Sequence, residues 1–381
     1  EDIASGRGPD RAVLSLGYAG WDAGQLESEV MANGWLVAEA GDELIFGSDN
    51  ARKWHQALKS LGIDPLALST AAALAEPALV FDLGGKFDKS FNEAAYTGAE
   101  RWKAETGGTY KELEMQSEAQ REQALHRLAE SGLNPIVTTG FAFGEVLNKV
   151  APDYPDTRFV IIDSAVEGPN IQSNLFADEQ GSYLAGVMAG MATKTKTVGF
   201  IGGMDVPLIR NFACGYVQGV KSVDPAIKVL QNMTGTTPAA WNDPVKGGEL
   251  AKAQKAQGAD VIYAAAGGTG IGVLQAAADE GILSIGVDSN QNHLHPGKVL
   301  TSVVKGVDNS VYEAFKAGAD LAPGRKLMDL ASGGVSVAMD DNNKPLVTPE
   351  MTEAVEAASK GIIDGSIAVH DYMTDNACPA G

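Results

Sequence analysis

Cysteine, histidine and positive charge are all scarce in this sequence. Among 381 residues there are two cysteines, Cys214 and Cys378, and five histidines, and the formal net charge at pH 7 is −20. Neither cysteine has the spacing of a metal-ligand pair, so no metal site is expected. The two cysteines either form one disulfide in an oxidising compartment or remain two unpaired thiols, and the sequence leaves both alternatives open.

The excess of acidic residues argues against nucleic acid as a partner, because recognition of phosphates requires clustered lysine and arginine. It argues equally against an anionic membrane surface. No apolar run approaches the roughly 18 residues of a membrane span. The sequence begins at Glu1 without a basic segment or an apolar segment, so a signal peptide is expected to be absent or already removed.

The familiar catalytic signatures are missing too. There is no G-x-S-x-G, G-x-x-x-x-G-K-[ST] or H-E-x-x-H motif. The stretch GGTGIGVL approaches a dinucleotide-binding fingerprint, with Gly268 and Gly270 in place but Val273 at the third glycine position. Asp288 follows at about the distance that this fingerprint requires. An NAD-type oxidoreductase is therefore kept as an alternative, and His293 and His295 are interpreted as part of a surface loop.

What is present is a regular alternation of apolar runs and helical patterns. Apolar residues make up 44% of the chain, enough for a substantial core. From residue 77 onward, short continuous apolar runs alternate with amphipathic stretches such as EAQREQALHRLAESG. Such a pattern is typical of an α/β protein with parallel sheets that are covered on both faces, and the length favours two sheets in two lobes. The runs occupy residues 78–82, 135–139, 159–163, 198–203, 261–268, 284–288 and 299–304.

Three of these runs end in aspartate, at Asp82, Asp163 and Asp288. Ligands of open α/β sheets bind beyond the carboxyl ends of the strands, where three acceptors would suit a polyhydroxylated or amine-bearing ligand. Aspartate after a strand is also a common turn or helix-capping residue. The set of three, in distant parts of the chain, favours the ligand interpretation.

The loop after the first run reads GGKFDKSFNEAAYTGA, residues 84–99, and leads into a helical pattern. Phe91 in this stretch is either the first core residue of the helix or an aromatic face presented to a ligand. Other predicted strands end in glycine-rich segments such as TTGFAFG and IGGMD. Glycine at these positions allows the backbone to approach a ligand closely.

Residues 77–381 resemble the basic membrane protein family, the purine nucleoside receptor-like substrate-binding lipoproteins of ABC transporters. The resemblance implies a two-lobed type I periplasmic-binding-protein fold: two doubly wound parallel sheets with a ligand cleft between them. It implies a purine nucleoside or base as the ligand, no catalysis and no cofactor. The most specific segments are DKSFNEAAYTG, GFAFGEVL, FVIID, FADEQGSYLAGVMAG, VGFIGGMDVPLIRNFACGYVQGV, YAAAGGTGIGVL and IGVDSNQ.

The resemblance also implies roles for residues that contact the base. Phe91 matches the phenylalanine that stacks on the purine, and Asp82 and Asn92 match positions that hydrogen-bond its edge. Family members with a second stacking aromatic have it just before the A-G-G-T-G loop, where this chain has alanines at 264–266. Phe141 and Trp241 are the candidates to replace it, and a free base such as adenine becomes as plausible as a nucleoside.

The remaining implied contacts are to the ribose. Asp163 and Asp288 match acidic positions at the ribose hydroxyls, and Lys305 matches a lysine near the ribose. Gly268 matches a backbone position in the A-G-G-T-G loop.

Residues 11–69 resemble a different family, the carboxyl-terminal part of the YqgE/AlgH proteins. The chain is therefore expected to begin with a small α+β segment, residues 1–76, that includes helices at 24–31 and from residue 51, the second ending near Gly62 and Pro65. The first lobe is expected to comprise 77–190 and about 305–330. The second is expected to comprise 191–304 and about 331–381.

The resemblance predicts a receptor that delivers its ligand to an ABC permease. Its location would be the periplasm or the outer face of the cytoplasmic membrane of a bacterium, with membrane contact only through a lipid anchor or the permease. A cytoplasmic ligand sensor with the same fold is a further alternative. It would need a DNA-binding element, and residues 1–76 show no basic patch.

Overall fold

The structure is a computed structural model that describes residues 25, 41–46, 50–62 and 75–379. The chain divides after Leu74 into two compact units, close to the predicted join at residue 76. In the described part of the first unit, helix α1 covers Asp42–Phe46 and helix α2 covers Asn50–Ser60. The predicted helix from residue 51 is thus confirmed, although it ends before Gly62. The predicted helix at 24–31 lies, apart from residue 25, outside the described residues.

The second unit is built from two sheets with helices on both faces. Among its described residues, the strands are β1 (Ala78–Phe81), β2 (Lys111–Glu114), β3 (Ile136–Thr139), β4 (Phe159–Ile162), β5 (Ile171–Phe176), β6 (Thr197–Met204), β7 (Lys228–Gly235), β8 (Val261–Ala265), β9 (Leu283–Asp288), β10 (Val299–Lys305), β11 (Gly324–Met328) and β12 (Val335–Val337). The α-helices are α3 (Phe91–Thr106), α4 (Arg121–Glu130), α5 (Gly144–Val150), α6 (Asp178–Ala192), α7 (Pro207–Val223), α8 (Pro244–Ala256), α9 (Gly268–Asp279), α10 (Val307–Ala317) and α11 (Pro349–Ile363).

Each sheet has six strands. The first has the order β11-β5-β4-β3-β1-β2 and is parallel throughout, and the second has the order β12-β10-β9-β8-β6-β7, with β12 antiparallel to β10. All seven predicted apolar runs form strands, and all of them occupy inner positions. This confirms the predicted α/β fold with two doubly wound, mainly parallel sheets.

The chain crosses between the two sheets three times: after β5, after β10 and after β11. Helix α10 returns to the first sheet, where Val311 and Phe315 pack with Leu79 and Trp102. Helix α6 was predicted to belong to the first lobe, which was expected to extend to residue 190. Instead, it packs in the core of the second sheet. We therefore propose that the first lobe ends near residue 177 instead of residue 190.

Close contact with helix α7 explains why α6 belongs to the second lobe. A Cβ atom at Gly186, Gly215 or Gly219 would overlap a backbone oxygen of the facing helix, so these glycines allow the two backbones to touch. Gly186 lies on α6, and Gly215 and Gly219 lie on α7. None of these three glycines has the positive φ that would require glycine for conformational reasons.

Substitution of Gly219 by alanine should therefore lower the free energy of unfolding by about 1–3 kcal/mol, the usual cost of overpacking. Elsewhere in a helix the same change normally stabilises by up to about 1 kcal/mol. Urea unfolding of the wild type and the Gly219→Ala variant measures the difference. A more stable variant would show that the helices are not in backbone contact.

The two cysteines are joined in a disulfide, which resolves the alternatives left open by the sequence. Cys214 lies on α7 and Cys378 near the end of the chain, so the bond holds the C-terminal segment against the second lobe. Gln218 of α7 supports this attachment through two hydrogen bonds with the backbone of His370. Among the described residues, no helix combines the length and the apolar character required to cross a membrane.

The purified protein should accordingly contain no free thiol. Treatment with iodoacetamide in denaturant without reductant should leave its mass unchanged, and treatment after reduction should add two carbamidomethyl groups. Labelling before reduction would show that Cys214 and Cys378 are unpaired.

Candidate functional site

A cavity of about 650 Å³ lies between the two lobes, beyond the carboxyl ends of strands from both sheets. Of the nine residues predicted to contact a ligand, eight line it: Asp82, Phe91, Asn92, Phe141, Asp163, Trp241, Asp288 and Lys305. The ninth, Gly268, begins helix α9, and its neighbour Gly267 lines the cavity. The structure thus brings the predicted set together, while the role of each residue toward a ligand stays a prediction.

Lys305 is the buried charge at the centre of this site. Its side chain is 2% exposed, and its Nζ lies 2.7 and 2.8 Å from the two carboxylate oxygens of Asp163. The carboxylate oxygens of Asp178 are 3.2 and 3.4 Å away. Burial alone would lower the pKa of Lys305, but Asp163, Asp178 and Asp288 together raise it above the ordinary value. Lys305 is therefore a permanent cation in this cleft.

Aromatic rings surround the same ammonium group. The Nζ atom of Lys305 lies 4.9 Å from the ring centroid of Phe176, 5.3 Å from that of Phe212 and 5.5 Å from that of Phe91. A cation near the face of an aromatic ring is stabilised electrostatically, most strongly where water is excluded. The lysine is thus held by rings as well as by carboxylates.

The strand ends that carry two of the carboxylates have an unusual backbone. Asp163 and Asp288 have φ angles of 70° and 62°, in the left-handed region that non-glycine residues rarely adopt. Burial raises the pKa of Asp288, and the positive charge of Lys305 opposes that rise. Strained residues of this kind concentrate at functional sites, where the surrounding structure holds them.

Asp82 is held by an arginine that the sequence analysis did not identify. Arg121, at the start of α4, donates two hydrogen bonds to Oδ1 of Asp82, from Nε at 3.1 Å and from Nη2 at 2.7 Å. Burial raises the pKa of the Asp82 carboxyl, and Arg121 opposes the rise. Because both hydrogen bonds go to Oδ1, the other oxygen takes no part in this ion pair.

The amide of Asn92 is already occupied within the protein. Its Nδ2 donates to the carbonyl oxygens of Asp82 and Gly85 at 3.4 and 3.1 Å, and its Oδ1 accepts from Thr139 Oγ1 at 3.0 Å. Asn92 therefore fixes the loop after β1. The predicted role, a hydrogen bond to the edge of a base, did not include this structural function. Any ligand contact would have to use the remaining lone pair of Oδ1.

The aromatic candidates all reach the cavity. Phe91 is the first residue of α3, packs partly against the core of the first lobe and also lines the cavity, so both interpretations of this residue apply. Trp241 covers Gly203 and Gly267, and a Cβ at Gly203 would overlap its ring. Phe141 and Trp241 come from opposite lobes, which leaves both available as a second stacking group.

The two lobes are in contact across the cleft. Ser90 Oγ donates to Asp288 Oδ2 at 2.6 Å, Ser289 Oγ donates to the Ser90 carbonyl at 2.8 Å, and Gln291 Nε2 donates to the Lys89 carbonyl at 2.8 Å. Together with the ion pair of Lys305 and Asp163, these contacts define a closed arrangement.

Several residues of the site were missed from the sequence. Asp178 follows β5, whose polar sequence hid the strand, so this aspartate was not recognised as a strand-end residue. Asp88 is buried and accepts hydrogen bonds from the backbone N–H groups of Ser90, Asn92 and Glu93; burial raises its pKa to about 7. Asp88 lies two residues before Ser90, the N-cap of α3, where an aspartate that precedes a helical pattern is a candidate for capping the helix. Phe212 has the spacing of an ordinary core residue of α7.

Comparison with known protein families identifies both parts of the chain. Residues 75–371 match the family described as PnrA-like ABC transporter substrate-binding proteins. The chain belongs to this family. Residues 1–66 match a second family, described as AlgH-like. Both resemblances inferred from the sequence are thereby confirmed, and the first places the chain among binding proteins rather than enzymes.

Individual relatives and solved structures are similar to the same part of the chain. An ABC transporter nucleoside-binding protein of Lactococcus lactis is 35% identical over 320 residues, which cover 77% of this chain and 88% of that protein. Among solved structures, an ABC transporter solute-binding protein of Aeropyrum pernix is 27% identical with a TM-score of 0.71, covering 78% of this chain and 93% of its own. A protein of Bacillus halodurans, named as a transcriptional activator of the comK gene, is 26% identical with a TM-score of 0.66, covering 77% and 100%.

The Lys305→Met variant tests the charge cluster in this PnrA-like fold. It should lower the free energy of unfolding at pH 7 by about 3–5 kcal/mol, because buried carboxylates lose their cation. Burial already raises the pKa values of Asp178 and Asp288, and loss of the cation should raise them further above their unfolded-state values. As the pH falls, the folded variant then binds more protons than the unfolded variant. The loss of unfolding free energy caused by Lys305→Met should therefore become smaller toward pH 5.

Urea unfolding at several pH values measures this effect. Lys298→Met, at an exposed position just before β10, is the matched control and should change stability by less than about 0.5 kcal/mol. Equal stabilities of the two variants would contradict the claim that Lys305 stabilises the buried carboxylates.

Proposed function

We propose that this chain captures a purine nucleoside or purine base between its lobes and delivers it to the permease of an ABC importer. The observation that carries the proposal is that one cavity between the lobes is lined by both aromatic faces and charged groups. Phe91, Phe141 and Trp241 supply flat apolar faces, and Asp163, Asp288 and Lys305 supply charged groups. A nucleoside combines the same two kinds of partner, an aromatic base and a polyhydroxylated sugar.

The aromatic side chains fit the base. Stacking of a base on an aromatic side chain contributes about 1–3 kcal/mol. The Oδ2 oxygen of Asp82, which Arg121 does not contact, is suited to accept hydrogen bonds from amino or ring N–H groups on a purine edge. The absence of an aromatic residue at 264–266 is offset by Phe141 and Trp241, both of which line the cavity.

The carboxylates fit the sugar. A carboxylate accepts hydrogen bonds from hydroxyl groups, and a buried site of this kind discriminates against analogues that lack them, because those hydrogen bonds are then lost. The Lactococcus lactis relative is named for nucleoside binding, which supports the same assignment here. Lys305 and Ser90 already donate to Asp163 and Asp288, and a nucleoside would add hydroxyl donors that the base alone lacks, which favours a nucleoside over adenine.

The location that we propose is outside the cytoplasmic membrane, with contact to the membrane through a lipid anchor or the permease. The disulfide between Cys214 and Cys378 supports this location, because such bonds persist in oxidising compartments.

A ligand-dependent regulator is the second candidate, and it is favoured by the similarity to the Bacillus halodurans protein, which is named as a transcriptional activator. A regulator of this kind needs a partner that reads DNA, which a chain of net charge −20 is poorly suited to do alone. Binding of the ligand-loaded protein to permease-containing vesicles, but not to DNA, would distinguish the receptor from the regulator.

Calorimetric titration tests the ligand class. The full chain, stripped of ligand by unfolding and refolding, should bind adenosine, guanosine or inosine more tightly than ribose. Phe91→Ala should weaken the binding of that nucleoside about 5- to 150-fold, which corresponds to about 1–3 kcal/mol of lost stacking.

Phe87→Ala is the matched control, because Phe87 lies in the same loop but is 60% exposed. This variant should keep the wild-type affinity. A refolded protein that binds none of these purines would overturn the proposed function. An equal loss of affinity in the two variants would show that Phe91 does not contact the ligand.

A further inference from the structure

A second compartment adjoins the proposed nucleoside cavity. It occupies about 1050 Å³, including its open mouth, and shares the side chains of Phe141, Asp163 and Leu208 with the first cavity. Since Asp163 is a proposed partner of the ribose, the compartment begins at the sugar end of the ligand rather than at the base.

Both lobes and the C-terminal segment form its walls. The first lobe contributes Leu327 of β11, the second contributes Val206 before α7, and the tail contributes Met373. The disulfide of Cys378 holds this tail in place, so the wall is a fixed part of the second lobe. Most of the surface is therefore apolar and suits methylene or methyl groups.

A buried carboxylate lies in this mainly apolar wall. Glu179 is 7% exposed, and its Oε2 accepts a hydrogen bond from Asn211 Nδ2 at 2.8 Å. Asn211 is itself held by the tail, since its Oδ1 accepts from the Tyr372 N–H at 2.8 Å. Within residues 75–379, no lysine or arginine forms an ion pair with Glu179, and burial raises its pKa to about 7. Glu179 is thus positioned by Asn211 and has no cationic partner among these residues.

The other charges in the compartment do not supply a partner for Glu179. Asp163 and Asp178 are paired with Lys305 in the first cavity. Asp371 and Arg325 complete the set of charged residues that line the compartment. A ligand group that donates hydrogen bonds or carries positive charge would complete the environment of Glu179.

We infer that the second compartment accepts a substituent on the ribose of a purine nucleoside, with an amine that pairs with Glu179. This inference rests on the proposed function. With the 2′ and 3′ hydroxyls directed to carboxylates, the 5′ position is the one left for an extension. The expected ligand class is therefore the 5′-amino or 5′-aminoalkyl purine nucleosides.

Calorimetric titration of the full chain with matched analogues tests this inference. The probes are adenosine and guanosine, their 5′-deoxy derivatives and their 5′-amino-5′-deoxy derivatives. The amino derivative should bind about tenfold more tightly than the 5′-deoxy derivative of the same base. Glu179→Gln keeps the shape of the side chain and should remove this advantage while leaving the affinity for the parent nucleoside within twofold.

Glu145→Gln, at an exposed position on α5, is the control and should leave both affinities unchanged. Binding of adenosine or guanosine without any preference for the amino derivative would overturn this inference alone. A preference that survives in Glu179→Gln would also overturn it. Failure of both parent nucleosides to bind would instead overturn the proposed function, and the inference with it.

Discussion

A buried ammonium group shapes this protein more than any other single feature. Lys305 ends strand β10, immediately before the chain crosses from the second lobe to the first. An isolated buried lysine would lose its charge, so the carboxylates of Asp163, Asp178 and Asp288 are needed to keep it ionised. Asp163 comes from the first lobe, and Asp178 begins the helix after another crossing. The same cluster therefore lies at the centre of the site and beside two of the three crossings between the lobes.

The position of this cluster ties ligand binding to closure. Lys305 and Asp163 come from different lobes, so their ion pair forms only when the lobes are together. The same is true of the hydrogen bond between Ser90 and Asp288. A nucleoside whose hydroxyls bridge these carboxylates would add contacts to both lobes that exist only in the closed state, which is how a ligand shifts such an equilibrium. The left-handed backbone of Asp163 and Asp288 is a cost that such contacts offset.

The sequence predicted the interior of the fold better than its margins. Inner strands such as β4 (FVII) are continuous apolar runs because both faces are covered, and seven of the eight inner strands were found this way. The four edge strands, β2, β7, β11 and β12, were missed, since one side faces solvent and permits sequences such as KELE. Asp178 was not predicted as a site residue, because the strand before it, β5, was not predicted either. Asp82, Asp163, Asp288 and Lys305 line the cavity because they lie at or next to strand ends, whereas the pairing of Asp82 with Arg121 depends on packing that no local pattern records.

The most direct test of this account is the affinity of the full chain for adenosine, 2′,3′-dideoxyadenosine and adenine, measured by titration calorimetry in one buffer. If carboxylates beside Lys305 recognise the ribose, removal of the two hydroxyls takes away ligand hydrogen bonds that add to those donated by Lys305 and Ser90. Dideoxyadenosine should then bind at least about 100-fold more weakly than adenosine. Equal affinities for all three compounds would contradict the account, because recognition would then rest on the base alone and the charge cluster would serve only to join the lobes.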